Sequence, residues 1–68
     1  MDIASESLIQ LGFAEEEFGG KAFYRYDGLL LTNEPVYGWA LCDPTTYNLC
    51  GQYITTLDEV RRLMAQKR

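Results

Sequence analysis

Lys21-Ala22-Phe23-Tyr24-Arg25-Tyr26-Asp27-Gly28-Leu29-Leu30-Leu31-Thr32 is the stretch whose reading decides the fold. Asp-Gly supplies the positive φ angles that a two-residue type I′ turn demands, and it stands between two segments rich in aromatic and aliphatic residues. A tight antiparallel hairpin follows. In its register Tyr26 faces Leu29 and Tyr24 faces Leu31. The period of two then places Ala22, Tyr24, Tyr26, Leu29 and Leu31 on one face, and Phe23, Arg25, Leu30 and Thr32 on the other.

Toward the C-terminus, Asn33-Glu34-Pro35 reads as a second turn. Val36 to Cys42 alternates large and small side chains as a strand does, with Tyr37, Trp39 and Leu41 as its bulky face. Asp43 to Asn48 carries turn chemistry, and Leu49 to Thr55 is expected to return as a fourth strand. Thr56-x-x-Glu59 is a capping box that opens a last helix, in which Leu57, Val60, Leu63 and Met64 form one apolar stripe. Toward the N-terminus, Ile3, Ala4, Leu8 and Leu11 suit a short helix over Asp2–Leu11 closed by Gly12. Phe13 to Gly20 reads as a connector, because three adjacent carboxylates and a glycine pair interrupt any periodicity. The expectation is one α+β domain spanning residues 1–68: an antiparallel meander of about four strands, with a short N-terminal helix and an amphipathic C-terminal helix on one sheet face.

Composition narrows the chemistry. The 68 residues are 47% hydrophobic and 24% charged, as globular chains are, and no apolar run approaches the ~20 residues of a membrane span. With neither a membrane segment nor a leader pattern in view, a cytoplasmic location is expected. Histidine is absent, so no Ser-His or Cys-His nucleophile pair and no imidazole ligand exists. Cys42 and Cys50 match no redox motif or four-ligand metal set, and two reduced, buried thiols are favoured over a bridge. No glycine pattern forms a phosphate-binding loop. A catalytic centre, a metal and a cofactor are therefore not expected.

Charge and aromatic content point elsewhere. Residues 1–60 carry ten acids against Lys21 and Arg25, a net of −8, and residues 61–68 carry four bases. A negative body discourages direct nucleic-acid binding, which needs a broad basic surface. The acids Glu15, Glu16, Glu17, Asp27 and Glu34 could instead face a basic protein surface. Nine aromatic residues exceed what one small core buries, which makes Tyr24, Tyr26, Tyr37 and Trp39 candidates for an exposed patch that contacts a partner. A core of this size supplies only about 3–5 kcal/mol, so a protein partner or a homodimer, through a sheet face or an edge strand, is expected.

Leu11-Gly12-Phe13, the hairpin Phe23-Tyr24-Arg25-Tyr26, Gly38-Trp39 and the closing Ile54-Thr55-Thr56-Leu57-Asp58-Glu59 together resemble small accessory proteins of phages, prophages and integrative elements. Some such proteins inhibit host defence nucleases, CRISPR effector complexes among them, by occupying a protein surface. The resemblance implies a non-enzymatic, protein-binding role against a host nucleic-acid-binding complex, and it transfers no functional motif to any residue here. The alternative is a small nucleic-acid-binding or regulatory protein that uses Arg61, Arg62, Lys67 and Arg68 with a stacking tyrosine.

Overall fold

The computed structural model describes residues 3–34 and 36–66. Asp2 of the expected first helix, Pro35 of the second turn, and Lys67 and Arg68 of the basic terminus lie outside the described residues. The chain runs α1 (Ser5–Leu11), β1 (Ala14–Phe18), β2 (Lys21–Tyr26), β3 (Leu29–Glu34), β4 (Gly38–Cys42), β5 (Leu49–Ile54) and α2 (Leu57–Gln66). The five strands form one antiparallel sheet in the order β1-β2-β3-β4-β5, so each strand pairs with its sequence neighbour. The α+β class stands.

The expected four strands become five. Ala14–Phe18, read as a connector, pairs with β2 from Ala14↔Arg25 to Phe18↔Lys21. Gly19 and Gly20, with φ of 62° and 79°, are its two-residue turn and not merely a break. As an edge strand β1 leaves Glu15 and Glu17 exposed to solvent, and charges on an edge discourage pairing with other chains.

The central hairpin has the expected register, with Tyr24↔Leu31 and Tyr26↔Leu29, but its turn is not the expected type I′: Asp27 takes a φ of 54° at the first turn position, while Gly28 does not adopt a positive φ. β3 continues two residues beyond Thr32, so Asn33 and Glu34 pair with Trp39 and Gly38 instead of turning. β4 begins at Gly38, whose φ of 92° sets Tyr37 outside the strand.

Both helices lie on the same side of the sheet. Ile3, Leu8, Phe13 and Val60 close over Tyr24, Leu29, Leu31, Trp39 and Ile54, with Leu57, Leu63 and Met64 packed at the margin. Gly12 caps α1 in the left-handed region at φ 113°. At α2 the capping box is formed: the Glu59 N–H donates to Thr56 Oγ1 at 3.3 Å, and Glu59 Oε1 accepts from the N–H groups of Thr55 and Thr56 at 2.9 and 3.2 Å. These bonds hold the Glu59 carboxyl below its ordinary pKa.

Candidate functional site

The side of the sheet without helices is the candidate site. Strand register assigns it Glu16 and Phe18 from β1, Lys21, Phe23 and Arg25 from β2, Leu30, Thr32 and Glu34 from β3, Ala40 and Cys42 from β4, and Leu49 and Tyr53 from β5. Its middle is sealed: Phe23, Leu30, Thr32, Ala40 and Cys42 are all buried.

The seal comes partly from the loop between β4 and β5, which folds back over this face. Asp43 shapes it, since its Oδ1 accepts the N–H groups of Thr45 and Thr46 at 2.7 and 3.1 Å, which holds its carboxyl below the ordinary pKa. Tyr47 adopts a φ of 66°, a conformation a bulky residue holds only when its surroundings over-determine it. They do. Its ring stacks on Phe18 at 4.2 Å and meets the Phe23 ring edge-on at 5.1 Å. Its hydroxyl donates to Glu16 Oε1 at 2.6 Å and accepts from Arg25 Nη2 at 3.0 Å.

Arg25 also grips Glu16 through Nε at 2.8 Å and Nη2 at 3.1 Å, and donates to the Pro44 carbonyl at 3.2 Å. This two-pronged ion pair lowers the Glu16 pKa from 4.5 to about 2, first through the Arg25 hydrogen bonds and then through Tyr47, and it raises that of Arg25. A carboxyl held that acidic neither donates nor usefully accepts a proton near neutrality.

Around this sealed centre lies an apolar rim. Phe18 is 54% exposed, Leu49 48% and Tyr53 39%, and Tyr37, at 61%, rests against Tyr53 with ring centroids 4.9 Å apart. Of these four, Tyr37 alone belonged to the expected partner-binding set. The signal for the others was available in the alternation Glu16-x-Phe18 and in the polar neighbours of Leu49 and Tyr53.

The remaining candidates scatter. Trp39 and Tyr24 are not exposed: both are core, on the helix side, 5.4 Å apart edge to face. Trp39 Nε1 donates to the Ile3 carbonyl at 2.7 Å, and the bulky side chain turns inward because α1 and α2 offer more apolar surface than water does. Tyr26 is partly buried against Phe13, and Asp27 is exposed at the turn. Glu34 is spoken for by Lys21 in an ion pair. Glu15 and Glu17 are exposed on the helix side of β1, and an open depression of about 480 Å³ along this edge is lined by Glu15, Glu16, Glu17, Gly20 and Ala22. Glu15, Glu16 and Glu17 therefore lie at the sheet edge opposite the exposed pair Tyr37–Tyr53, while Asp27 and Glu34 stand at the two ends of the central strand, so the acidic residues form no common surface.

Both cysteines are free thiols, but only Cys42 is buried; Cys50, expected to be buried as well, is exposed on the edge strand β5, and burial pushes the Cys42 thiol up. Among the described residues no cluster of Cys, Asp and Glu is arranged to hold a metal ion, and no buried side-chain polar atom lacks a partner. No described helix is long and apolar enough to cross a membrane. Comparison with protein-family models, curated proteins and solved structures gives no match to this chain.

Proposed function

We propose that this chain is a protein-binding module without catalytic chemistry of its own, which meets its partner through the helix-free face of the sheet. One observation carries the reading: Phe18, Tyr37, Leu49 and Tyr53 stand exposed on or beside a face whose polar groups are already engaged with each other. Tyrosine and phenylalanine bring large contact area with few rotamers to freeze, which is what an interface needs. The resemblance to phage accessory inhibitors adds a target class, a host defence complex, blocked by surface occupation. Acidic steering of such a basic target would come from Glu15 and Glu17 at one edge, separate from the aromatic contact itself.

Affinity capture from a host lysate, run with the wild type and with Tyr37→Ala/Tyr53→Ala, tests this. The wild type should retain a protein that the variant loses while both melt at nearly the same temperature. Identical capture profiles would sink the reading. Titration with single- and double-stranded nucleic acid should show negligible association at low salt, and a steep salt-dependent binding would transfer the function to the basic helix.

A further inference from the structure

We propose that Cys42 and Cys50 are a redox pair: β5 slips by one residue against β4, Cys50 comes to stand opposite Cys42, and a small-molecule disulfide oxidises the two thiols to an intramolecular bridge. The consequence for the helix-free face rests on the protein-binding proposal, and the bridge itself does not.

The two thiols are neighbours that face apart. Leu49 stands opposite Cys42, and Cys50 is the next residue along β5, so alternation turns its side chain to the other face. Burial, and after it the neighbouring Cys50, push the Cys42 thiol above its ordinary pKa. Side chains that point apart cannot bridge, and both cysteines are free. A slip of one residue corrects the direction, because it moves Cys50 to the face of Cys42. Directly opposed residues of antiparallel strands have α-carbons about 4.5–5.5 Å apart, inside the ~4.4–6.8 Å range of disulfides.

The irregularity of β5 prepares that slip. Between the pairs Ala40↔Tyr53 and Cys42↔Leu49, β5 holds Cys50, Gly51 and Gln52 where β4 holds Leu41 alone. With Cys50 opposite Cys42, only Gly51 and Gln52 face Leu41, which is the two-against-one count of an ordinary bulge. Gly51, at φ 80°, already holds the left-handed conformation that the first position of a glycine bulge requires. Little resists the move: β5 is an edge strand paired to β4 alone, residues 49–53 are exposed, and residues 44–57 carry no charge. Ile54, buried in the core, fixes the far end of the strand. At the near end Tyr47 stays seated on Phe18, and Asn48 and Leu49 take up the extra residue once the Asp43 N–H releases the Asn48 carbonyl that it holds at 2.8 Å.

Exposure sets the order of the chemistry. The Cys50 thiolate attacks one sulfur of oxidised glutathione, forms a mixed disulfide and releases one glutathione thiolate. The Cys42 thiolate then attacks the Cys50 sulfur, closes the bridge and releases the second glutathione. Two protein thiols are oxidised and one glutathione disulfide is reduced, and the two thiol protons end on the departing glutathione sulfurs. The bridge draws Leu49, 48% exposed, off the helix-free face, so oxidation removes one residue from the apolar rim and weakens the partner contact. A bridge on an exposed edge is readily reduced again, as reversible control requires.

Incubation of the full chain in glutathione buffers of rising oxidised fraction, quenched in acid and read by mass spectrometry, tests the pair. The wild type should pass to a species lighter by two hydrogens and free of glutathione, Cys42→Ser should stop at the mixed disulfide on Cys50, and Cys50→Ser should stay reduced. A wild type that stops at the mixed disulfide overturns the inference. So does a bridge that forms only in urea, or one whose formation abolishes the native far-UV dichroism. In the bridged chain, amide shifts should be confined to residues 40–54 and the rings around Tyr47, and shifts at the core residues Leu8 and Val60 would refute a slip limited to β5. Oxidation should lower any capture of a partner that depends on Tyr37 and Tyr53 by at least about threefold, the loss of part of one leucine contact. Equal capture in the two redox states would overturn the control of the face, whereas a bridge with no capture dependent on Tyr37 and Tyr53 would defeat the protein-binding proposal and uphold the redox pair.

Discussion

Trp39→Phe should nearly exhaust the stability of this protein, although the expected role of Trp39 at a partner surface would have made the change almost silent. In the fold Trp39 is 3% exposed, and its Nε1 donates at 2.7 Å to the carbonyl of Ile3, itself a core residue. Phenylalanine removes the donor and leaves a buried carbonyl unpaired, which costs about 1–3 kcal/mol. It also withdraws about three ring atoms from a packed site against Tyr24, for about another 1–2 kcal/mol. The sum, about 2–5 kcal/mol, is comparable with the whole stability of a core this small. Urea titration followed by far-UV circular dichroism is the assay; with a slope of about 1 kcal/mol/M the midpoint should fall by about 2 M or more. A fall of less than about 0.5 M would refute the argument. Deleting residues 1–3 in both backgrounds isolates the hydrogen bond. The deletion should cost distinctly less in Trp39→Phe than in the wild type, and additive costs would mean that the two groups do not interact.

Asp27→Val forces a β-branched side chain to a φ of 54° and should lose more than about 1 kcal/mol, whereas Asp27→Gly should be neutral or better; equal denaturation midpoints for Val and Asp would count against the turn geometry. Glu16 has a folded-state pKa depressed from 4.5 to about 2, so its stabilisation is fully present above about pH 5 and drains away as the pH falls toward 2. Near-UV dichroism should report Tyr47 loosening in that window, and Glu16→Gln, lacking the titrating carboxylate, should already be loosened at pH 7; an acid profile identical in the two proteins contradicts the Arg25–Glu16–Tyr47 linkage. A thiol reagent should modify Cys50 at once and Cys42 only on unfolding, since burial shields Cys42 and disfavours its thiolate; two equally fast reactions would place Cys42 at the surface.

Where the sequence was readable, a single local interaction decided the structure. Asp27 before Gly28 fixes the hairpin register, Gly12 stops α1, and Thr56 with Glu59 starts α2, each within a few residues. β1 escaped because an edge strand has no obligatory alternation; Gly19-Gly20, among the common hairpin turns, was the available signal. The faces of the aromatic residues escaped for another reason. Leu29, Leu30 and Leu31 are all buried, so both sides of the sheet are apolar at its centre, and alternation alone does not say which side the helices cover. Tyr47 was invisible as part of the site because its role depends on a backbone conformation that its own residue type disfavours.

The meander order also has a kinetic consequence. Since every strand pairs with the one just before it, each ladder closes over a short loop, and the entropy lost per closure stays small. The Asp27-Gly28 hairpin is then the natural place for the transition state to organise, with β1 and β4 adding on either side. The Trp39–Ile3 bond joins residues 36 apart and closes late. Substitutions there should accelerate unfolding while leaving the folding limb of a chevron almost unmoved, and changes in the central hairpin should slow the folding limb.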